Sequence, residues 1–147
     1  MEYRDFIVDF VERTKRNYMQ LKNGEYGATA LINSAVGLLM VPREAMIPKA
    51  ATVLEMSELH MELKAVVSLN TYPEELTFEQ IIRHVRNGIA HARMDVIIKS
   101  CKRNNLIDGF SIKDRDKNKG YDFRIELSLE LIEKLFFEYS EAVLEKI

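Results

Sequence analysis

The fold is decided by a stretch near the middle of the chain, residues 77–91, which reads TFEQIIRHVRNGIAH. Thr77 followed by Gln80 has the form of a capping box, in which a side-chain oxygen satisfies a free backbone N–H at the start of a helix. Apolar residues then recur at spacings of three and four, which predicts a helix with one buried face. The residues of this stripe are Phe78, Ile81, Ile82, Val85 and Ile89.

On either side of this stretch, the same spacing of apolar residues predicts four further helices. Pro42 stops the second of them, because the residue before a proline is pushed out of the helical region, and residues 42–51 are predicted to form a loop. Thr52 followed by Glu55 has capping-box form and predicts the start of the next helix, and Ser128 predicts the start of the last. The predicted helices span residues 3–21, 26–40, 52–67 and 129–147.

Two segments have a different pattern. Residues 107–113 and 121–127 show an alternating pattern and contain β-favouring residues. They flank a charged turn, residues 114–120, and this predicts a β-hairpin. Residues 96–98 fit either a strand or a helix. The pattern as a whole predicts a mainly α fold, a helical bundle of about five helices with a small β-hairpin before the C-terminal helix. With 147 residues and no repeat or linker composition, residues 1–147 form one predicted domain.

Composition narrows the class of protein. The chain is 47% hydrophobic and 30% charged, which is typical of a globular protein rather than a disordered one. The single cysteine, Cys101, allows no internal disulfide, favours a reducing cytoplasm and is interpreted as a packed or partly exposed thiol. Residues 1–5 are too charged for a signal peptide, and the longest apolar stretch, Ala28–Val41, is too short to span a bilayer. We therefore expect a cytoplasmic protein, no membrane association and a buried second helix.

Charge is distributed unevenly along the chain. Residues 83–103 contain six basic residues against Asp95 alone, a local charge of +5 in a chain whose net charge is −2. A basic segment on an acidic body fits a small site for a polyanion, although a solvated face that is basic by chance fits equally well. The basic residues are Arg83, Arg86, Arg93, Lys99, Lys102 and Arg103.

Within that segment, Arg86-Asn87-Gly88-Ile89-Ala90-His91 combines groups that suit phosphodiester chemistry without a metal. Arginine binds phosphate with a planar fork, and histidine is the side chain that exchanges protons near neutral pH. His91 could instead be a structural residue at a helix end. On one straight helix Arg86 and His91 lie about 140° apart. The two side chains therefore act together only if the helix breaks near Gly88 or if a second chain completes the site.

The other histidines carry weaker signals. His60 lies among charged neighbours and is predicted to be at the surface, whereas His84 is either structural or close to the site. The three histidines and Cys101 have no zinc-ligand spacing, so we expect no metal site. The chain has no glycine-rich phosphate loop, which disfavours an NTPase, and no cofactor is expected.

A helical domain with Arg86, Asn87 and His91 in this spacing resembles the HEPN superfamily, named for higher-eukaryote and prokaryote nucleotide binding. The signature of that superfamily is an arginine, four to six residues and a histidine. The likeness extends to other segments, which resemble a plasmid- and defence-associated HEPN subgroup. These segments are Asn23-Gly24-Glu25-Tyr26, Leu31-Ile32-Asn33-Ser34, Gly37-Leu38-Leu39, Val41-Pro42 and the hairpin with its final helix.

The resemblance implies a homodimer that acts as a metal-independent endoribonuclease, a toxin or defence effector with RNA as substrate and an antitoxin protein as possible partner. By this resemblance His91 is a general acid or base, Arg86 stabilises charge on the phosphorus, and Asn87 orients the histidine or binds a phosphate oxygen. Arg83, His84 and Arg93 are candidate RNA contacts. The alternative is a non-catalytic HEPN module that binds RNA, nucleotide or a partner protein.

Overall fold

A computed structural model describes residues 3–42, 44–98 and 107–146, with side chains from residue 6 onward. Helices, a hairpin and a final helix follow one another as predicted, but two further strands lie among them. Cys101 and the basic residues Lys99, Lys102 and Arg103 lie outside the described residues, as do the predictions made for them. Within the described ranges the elements are α1 (Tyr3–Leu21), α2 (Gly27–Met40), α3 (Met46–Leu54), α4 (Glu58–Ala65), β1 (Val67–Asn70), α5 (Phe78–Ala90), β2 (Met94–Ile97), β3 (Gly109–Asp116), β4 (Tyr121–Ser128) and α6 (Leu129–Glu145).

The sheet is larger than the predicted hairpin. The hairpin itself, β3 and β4, is confirmed, and its turn closes at Gly120, whose φ of 71° suits glycine. Two further strands flank it, so that the strand order is β1-β4-β3-β2 with every pair antiparallel. Residues 96 and 97, which fitted strand or helix, lie in β2 because they pair with β3. The fold is therefore a helical bundle that carries a four-stranded sheet.

Two predictions for residues 42–67 are wrong. Residues 46–51, predicted as loop, belong to α3, and Thr52 lies inside that helix, where its hydroxyl donates to the Pro48 carbonyl instead of capping. The helix does not continue to residue 67, because Met56 adopts a φ of 63° and a new helix, α4, begins after Ser57, whose side chain accepts from the His60 N–H. Residues 67–70 then pair with β4 as β1.

Other predicted boundaries are confirmed. The Thr77 hydroxyl accepts a hydrogen bond from the Gln80 N–H at 3.1 Å, and the Ser128 hydroxyl accepts one from the Leu131 N–H at 3.2 Å. These bonds fix the starts of α5 and α6. The apolar second helix is buried as expected, with Leu31, Leu38 and other side chains in the core. No helix among the described residues is long and apolar enough to cross a membrane.

The core lies between the helices and one face of the sheet. Helix α6 packs on α2 and α3, and α5 packs on β3 and α3. The largest fully buried side chains are Tyr139, Phe78, Phe123 and Phe136.

Gly88 brings α5 into close contact with the sheet. A Cβ at this position would lie 2.5 Å from Ile112 Cγ2 and 2.5 Å from the Lys113 carbonyl oxygen, so any side chain would force the helix and β3 apart. The helix continues through Gly88 to Ala90. A helix break near Gly88, one of the two conditions for joint action of Arg86 and His91, is therefore wrong, and the glycine instead permits close packing.

Candidate functional site

The C-terminus of α5 presents His91 to solvent. The helix ends in a Schellman arrangement, in which the Arg93 N–H donates to the Gly88 carbonyl and the Ala92 N–H to the Ile89 carbonyl, with Ala92 at a φ of 54°. His91 is the C-cap through its backbone. Its side chain is exposed and makes no hydrogen bond or ion pair with the part of the chain that the structure describes. The side chain is therefore available to a ligand and takes no part in capping.

An open cleft of about 550 Å³ lies between α5 and the β3–β4 turn. Four basic residues, Arg83, Arg93, Arg115 and Lys117, line it together with the carboxylates of Asp114 and Asp116. The cleft brings together five of the six predicted site residues, which are Arg83, His84, Asn87, His91 and Arg93.

Arg86, the sixth predicted residue, does not line this cleft. It is half-buried, and its positive charge acts on the buried Tyr139 of α6: burial raises the pKa of Tyr139 to about 12, and the guanidinium of Arg86 opposes that rise. Within the described residues its side chain forms no hydrogen bond or ion pair. Because α5 is unbroken, Arg86 and His91 stay about 140° apart around the helix axis. One chain does not direct both side chains at the same phosphate.

His84 forms the floor of the cleft, where a carboxylate and two aromatic rings contact it. Its Nδ1 donates to Asp114 Oδ2 across 2.8 Å, and both side chains are buried. The ring stacks on Phe123 with centroids 4.5 Å apart, and Tyr72 covers the other side at 4.4 Å. His84 is therefore fixed in one orientation.

Asp114 is one of the cleft residues that sequence reasoning missed, with Tyr72, Arg115, Asp116 and Lys117. The Oδ2 atom of Asp114 also accepts a 3.4 Å bond from Asn87 Nδ2, and its Oδ1 accepts from the Arg115 N–H. The prediction ended the strand at Lys113 and placed Asp114 in the turn. A signal was present, since Asp114 continues the alternation of Phe110 and Ile112, which face the helices.

The carboxylates around the cleft also act on Tyr72. Burial raises the pKa of Tyr72 to about 12, the charges of Asp114, Asp116 and Asp122 add to the rise, and Arg93 opposes it. The cleft therefore has an acidic floor beneath a basic rim, and Tyr72 stays protonated over the physiological pH range.

Arg83 and Arg93 differ in how free they are to bind phosphate. Arg83 already forms ion pairs with Glu44 at 2.9 Å and with Glu79 at 3.6 Å. Arg93 donates a single 3.4 Å bond to the Arg115 carbonyl, and within the described ranges it pairs with no carboxylate. Of these two predicted RNA contacts, Arg93 is the better placed.

His60 does not lie at the surface, and that prediction is wrong. It is 1% exposed, its Nδ1 accepts from the Met56 N–H, and its Nε2 donates to the Leu76 carbonyl. The histidine holds the α3–α4 junction against the segment before α5. No group of three or more histidine, cysteine or acidic side chains is placed to hold a metal ion in residues 3–42, 44–98 and 107–146.

Comparison with known proteins identifies the family. The whole chain, residues 1–147, matches the family model described as HEPN pEK499 p136. No curated protein and no solved structure matched it. The resemblance to HEPN proteins, drawn from Arg86, Asn87 and His91 and from the surrounding segments, is confirmed. The chain belongs to the HEPN pEK499 p136 family.

Proposed function

We propose that this protein is a metal-independent endoribonuclease that works as a homodimer. The observation that carries the proposal is the exposed side chain of His91, which has no bonding partner among the described residues and lies at a cleft whose rim is basic, in a chain of HEPN type. A polyanionic substrate is attracted to such a rim, and an imidazole at its edge is the general acid or base that phosphodiester cleavage requires.

The reaction follows from RNA chemistry. The ribose 2'-oxygen bonds to the adjacent phosphorus while the bond from phosphorus to the 5'-oxygen breaks. A base takes the proton of the 2'-hydroxyl and an acid protonates the leaving 5'-oxygen, so the products are a 2',3'-cyclic phosphate and a 5'-hydroxyl. Histidine suits either transfer; His91 performs one of them at each site, and water exchanges the other proton.

The remaining roles follow from what each side chain touches. Asn87 is held by Asp114 through its Nδ2, which leaves its Oδ1 to orient His91 or the 2'-hydroxyl. Arg86 faces away from the cleft of its own chain and has no partner among the described residues. We therefore assign the stabilisation of the phosphorane-like charge to Arg86 of a second copy, because preorganised cations at that position lower the barrier substantially.

The proposal is tested by comparing RNA cleavage by the wild type and His91→Ala. Loss of the general acid or base is expected to slow cleavage by about 100-fold or more, with the rate unaffected by a chelator. Gln20→Ala, an exposed change on α1, is the matched control and should cleave like the wild type. Equal residual activity in His91→Ala and the wild type, from parallel purifications, would contradict the proposal.

The alternative is a non-catalytic HEPN module, and the separation of Arg86 from His91 within one chain is the observation that favours it. It predicts that the wild type binds RNA without producing cleavage products and that Arg86→Ala weakens this binding in a salt-dependent manner. A cyclic phosphate end produced by the wild type and lost in His91→Ala excludes this alternative.

The likeness to plasmid- and defence-associated HEPN proteins supports a biological setting for this activity. In that setting the protein is a toxin or defence effector that acts on cytoplasmic RNA, and an antitoxin protein is its partner. Growth arrest on expression of the wild type, absent with His91→Ala, is the expected outcome.

A further inference from the structure

The face of the sheet that points away from the helices carries a group of basic side chains beside the cleft. On β3, Ile112 and Asp114 point toward α5, so Lys113 and Arg115 point to the opposite face. Arg124 of β4 lies beside them. Together with Arg93 and Lys117 they line a depression of about 470 Å³, and we call this surface the sheet groove.

Two of these cations face each other without a carboxylate between them. Lys113 and Arg124 are directly opposite in the β3–β4 register. Like charges in that position destabilise a sheet. Arg124 donates to the Ser111 hydroxyl at 3.1 Å, and the Lys113 side chain has no hydrogen bond or ion pair within the described part of the chain. The sheet therefore retains two opposed cations that form no ion pair with a carboxylate among the described residues.

The two acidic residues that line the sheet groove, Asp114 and Asp122, are already engaged, whereas Asp95 and Glu126, opposite Ser111 on the same face, form no ion pair with Lys113 or Arg124 among the described residues. Asp122 accepts a 3.0 Å bond from Arg115 Nε, and Asp114 binds His84 on the other side of the sheet. The five basic residues that line the groove outnumber its two carboxylates, and Lys113 and Arg124 are among those that pair with neither. A polyanion is the ligand that this surface fits.

The groove adjoins the cleft, because Arg93, Arg115 and Lys117 line both. Side chains two residues apart on a strand are about 6.6 Å apart and adjacent strands about 4.8 Å apart, so the cations form a track about one nucleic-acid strand wide. Leu69 of β1, exposed at the edge of the groove, offers an apolar surface to a base or ribose.

We propose that the sheet groove binds the phosphates of a single RNA strand that continues from the cleft, so that the substrate is an extended single-stranded segment rather than one dinucleotide. This inference rests on the proposed ribonuclease function. Lys113 and Arg124 supply phosphate contacts remote from the scissile bond, and they hold the strand in register with His91.

The test measures binding of a labelled single-stranded RNA to Lys113→Gln/Arg124→Gln in a His91→Ala background, at several salt concentrations. Loss of two phosphate contacts is expected to reduce the slope of log affinity against log salt by about 1.4, and to weaken binding roughly 10- to 30-fold near 0.1 M salt. Lys113→Gln alone should reduce the slope by about 0.7. Arg16→Gln/Lys49→Gln removes two exposed charges from α1 and α3 and should bind as the parent does.

Loss of folding should not explain weaker binding, because removing a like-charge pair relieves repulsion. Thermal unfolding of the double variant should therefore match that of the parent.

Unchanged affinity and slope in the double variant would overturn the inference, as would displacement of RNA by polyglutamate at equal charge. If the wild type cleaves no RNA but the double variant binds RNA more weakly than its parent, RNA binding by the groove is supported and the ribonuclease proposal is contradicted. If the wild type cleaves RNA and the double variant binds RNA as tightly as its parent, the ribonuclease proposal is supported and RNA binding by the groove is contradicted.

Discussion

At the scale of single residues, the cleft depends on one buried carboxylate. Asp114 joins α5 to β3 through His84 and also holds Asn87 at the base of the cleft. A buried hydrogen bond to a charged group contributes more than an exposed one, and removing one partner leaves the other desolvated. Asp114 is therefore both a structural tie and a positioning residue for Asn87.

We expect Asp114→Asn to lower the free energy of unfolding by about 1–3 kcal/mol, because the charge-assisted bond to His84 is lost. RNA cleavage should fall through kcat rather than KM, since Asn87 loses its positioning contact while the basic rim is unchanged. Urea unfolding and steady-state kinetics measure the two effects. Asp95→Asn, on an exposed strand position, is the control. Stability and kcat at wild-type levels in Asp114→Asn would contradict this role.

From the sequence, the residues of the site could be predicted better than the residues that they contact in the fold. Thr77 as a cap and His91 at the end of α5 followed from local pattern, because both depend on residues within one helix. The His84–Asp114 pair joins residues 30 positions apart, and the buried bonds of His60 reach Leu76. Contacts of this kind depend on tertiary packing, so neither His84 nor His60 could be placed from sequence spacing alone.

At the scale of elements, the contact between α5 and β3 sets the position of the cleft. The helix approaches the strand most closely at Gly88, where the carbonyl of Lys113 occupies the space that a Cβ would need. A backbone atom in a paired strand does not move aside easily. The geometry of the cleft therefore depends on the absence of a side chain at one position.

Gly88→Ala should destabilise the protein by about 1–3 kcal/mol through overpacking, even though alanine favours an isolated helix by about 1 kcal/mol. Gly37→Ala is the matched control, because its Cβ would meet only the end of the Phe10 ring at 3.2 Å, and its effect should be near zero or stabilising. Denaturant unfolding of both variants provides the comparison. Equal stability in the two would show that the close contact at Gly88 is unimportant.

Elements with strong local signals were predictable, and those set by distant pairing were not. Helices α1, α2, α5 and α6 and the β3–β4 hairpin follow from apolar period and capping. The division of residues 46–65 into α3 and α4 depends on the left-handed backbone of Met56, a conformation that methionine does not signal. Strand β1 forms because β4 is available to pair with it, more than 50 residues later.

At the scale of the whole molecule, the proposed chemistry requires two copies of the chain. An unbroken α5 separates Arg86 from His91, and of these two residues His91 alone lines the cleft. A two-fold dimer places the same surface of each copy against the other and creates two equivalent sites. In the proposed dimer, Arg86 of one copy completes the site of His91 in the other, and the proposed sheet grooves lead RNA toward both.

The most direct measurement of this claim is cleavage by mixed dimers of Arg86→Ala and His91→Ala, each inactive alone. One of the two sites in a mixed dimer keeps both side chains intact, so an equal mixture after subunit exchange should recover about a quarter of the wild-type activity. Native mass spectrometry of differently tagged subunits confirms that exchange has occurred. Restored cleavage in the mixture supports a site shared between chains, and an inactive mixture in which mixed dimers are abundant would contradict it.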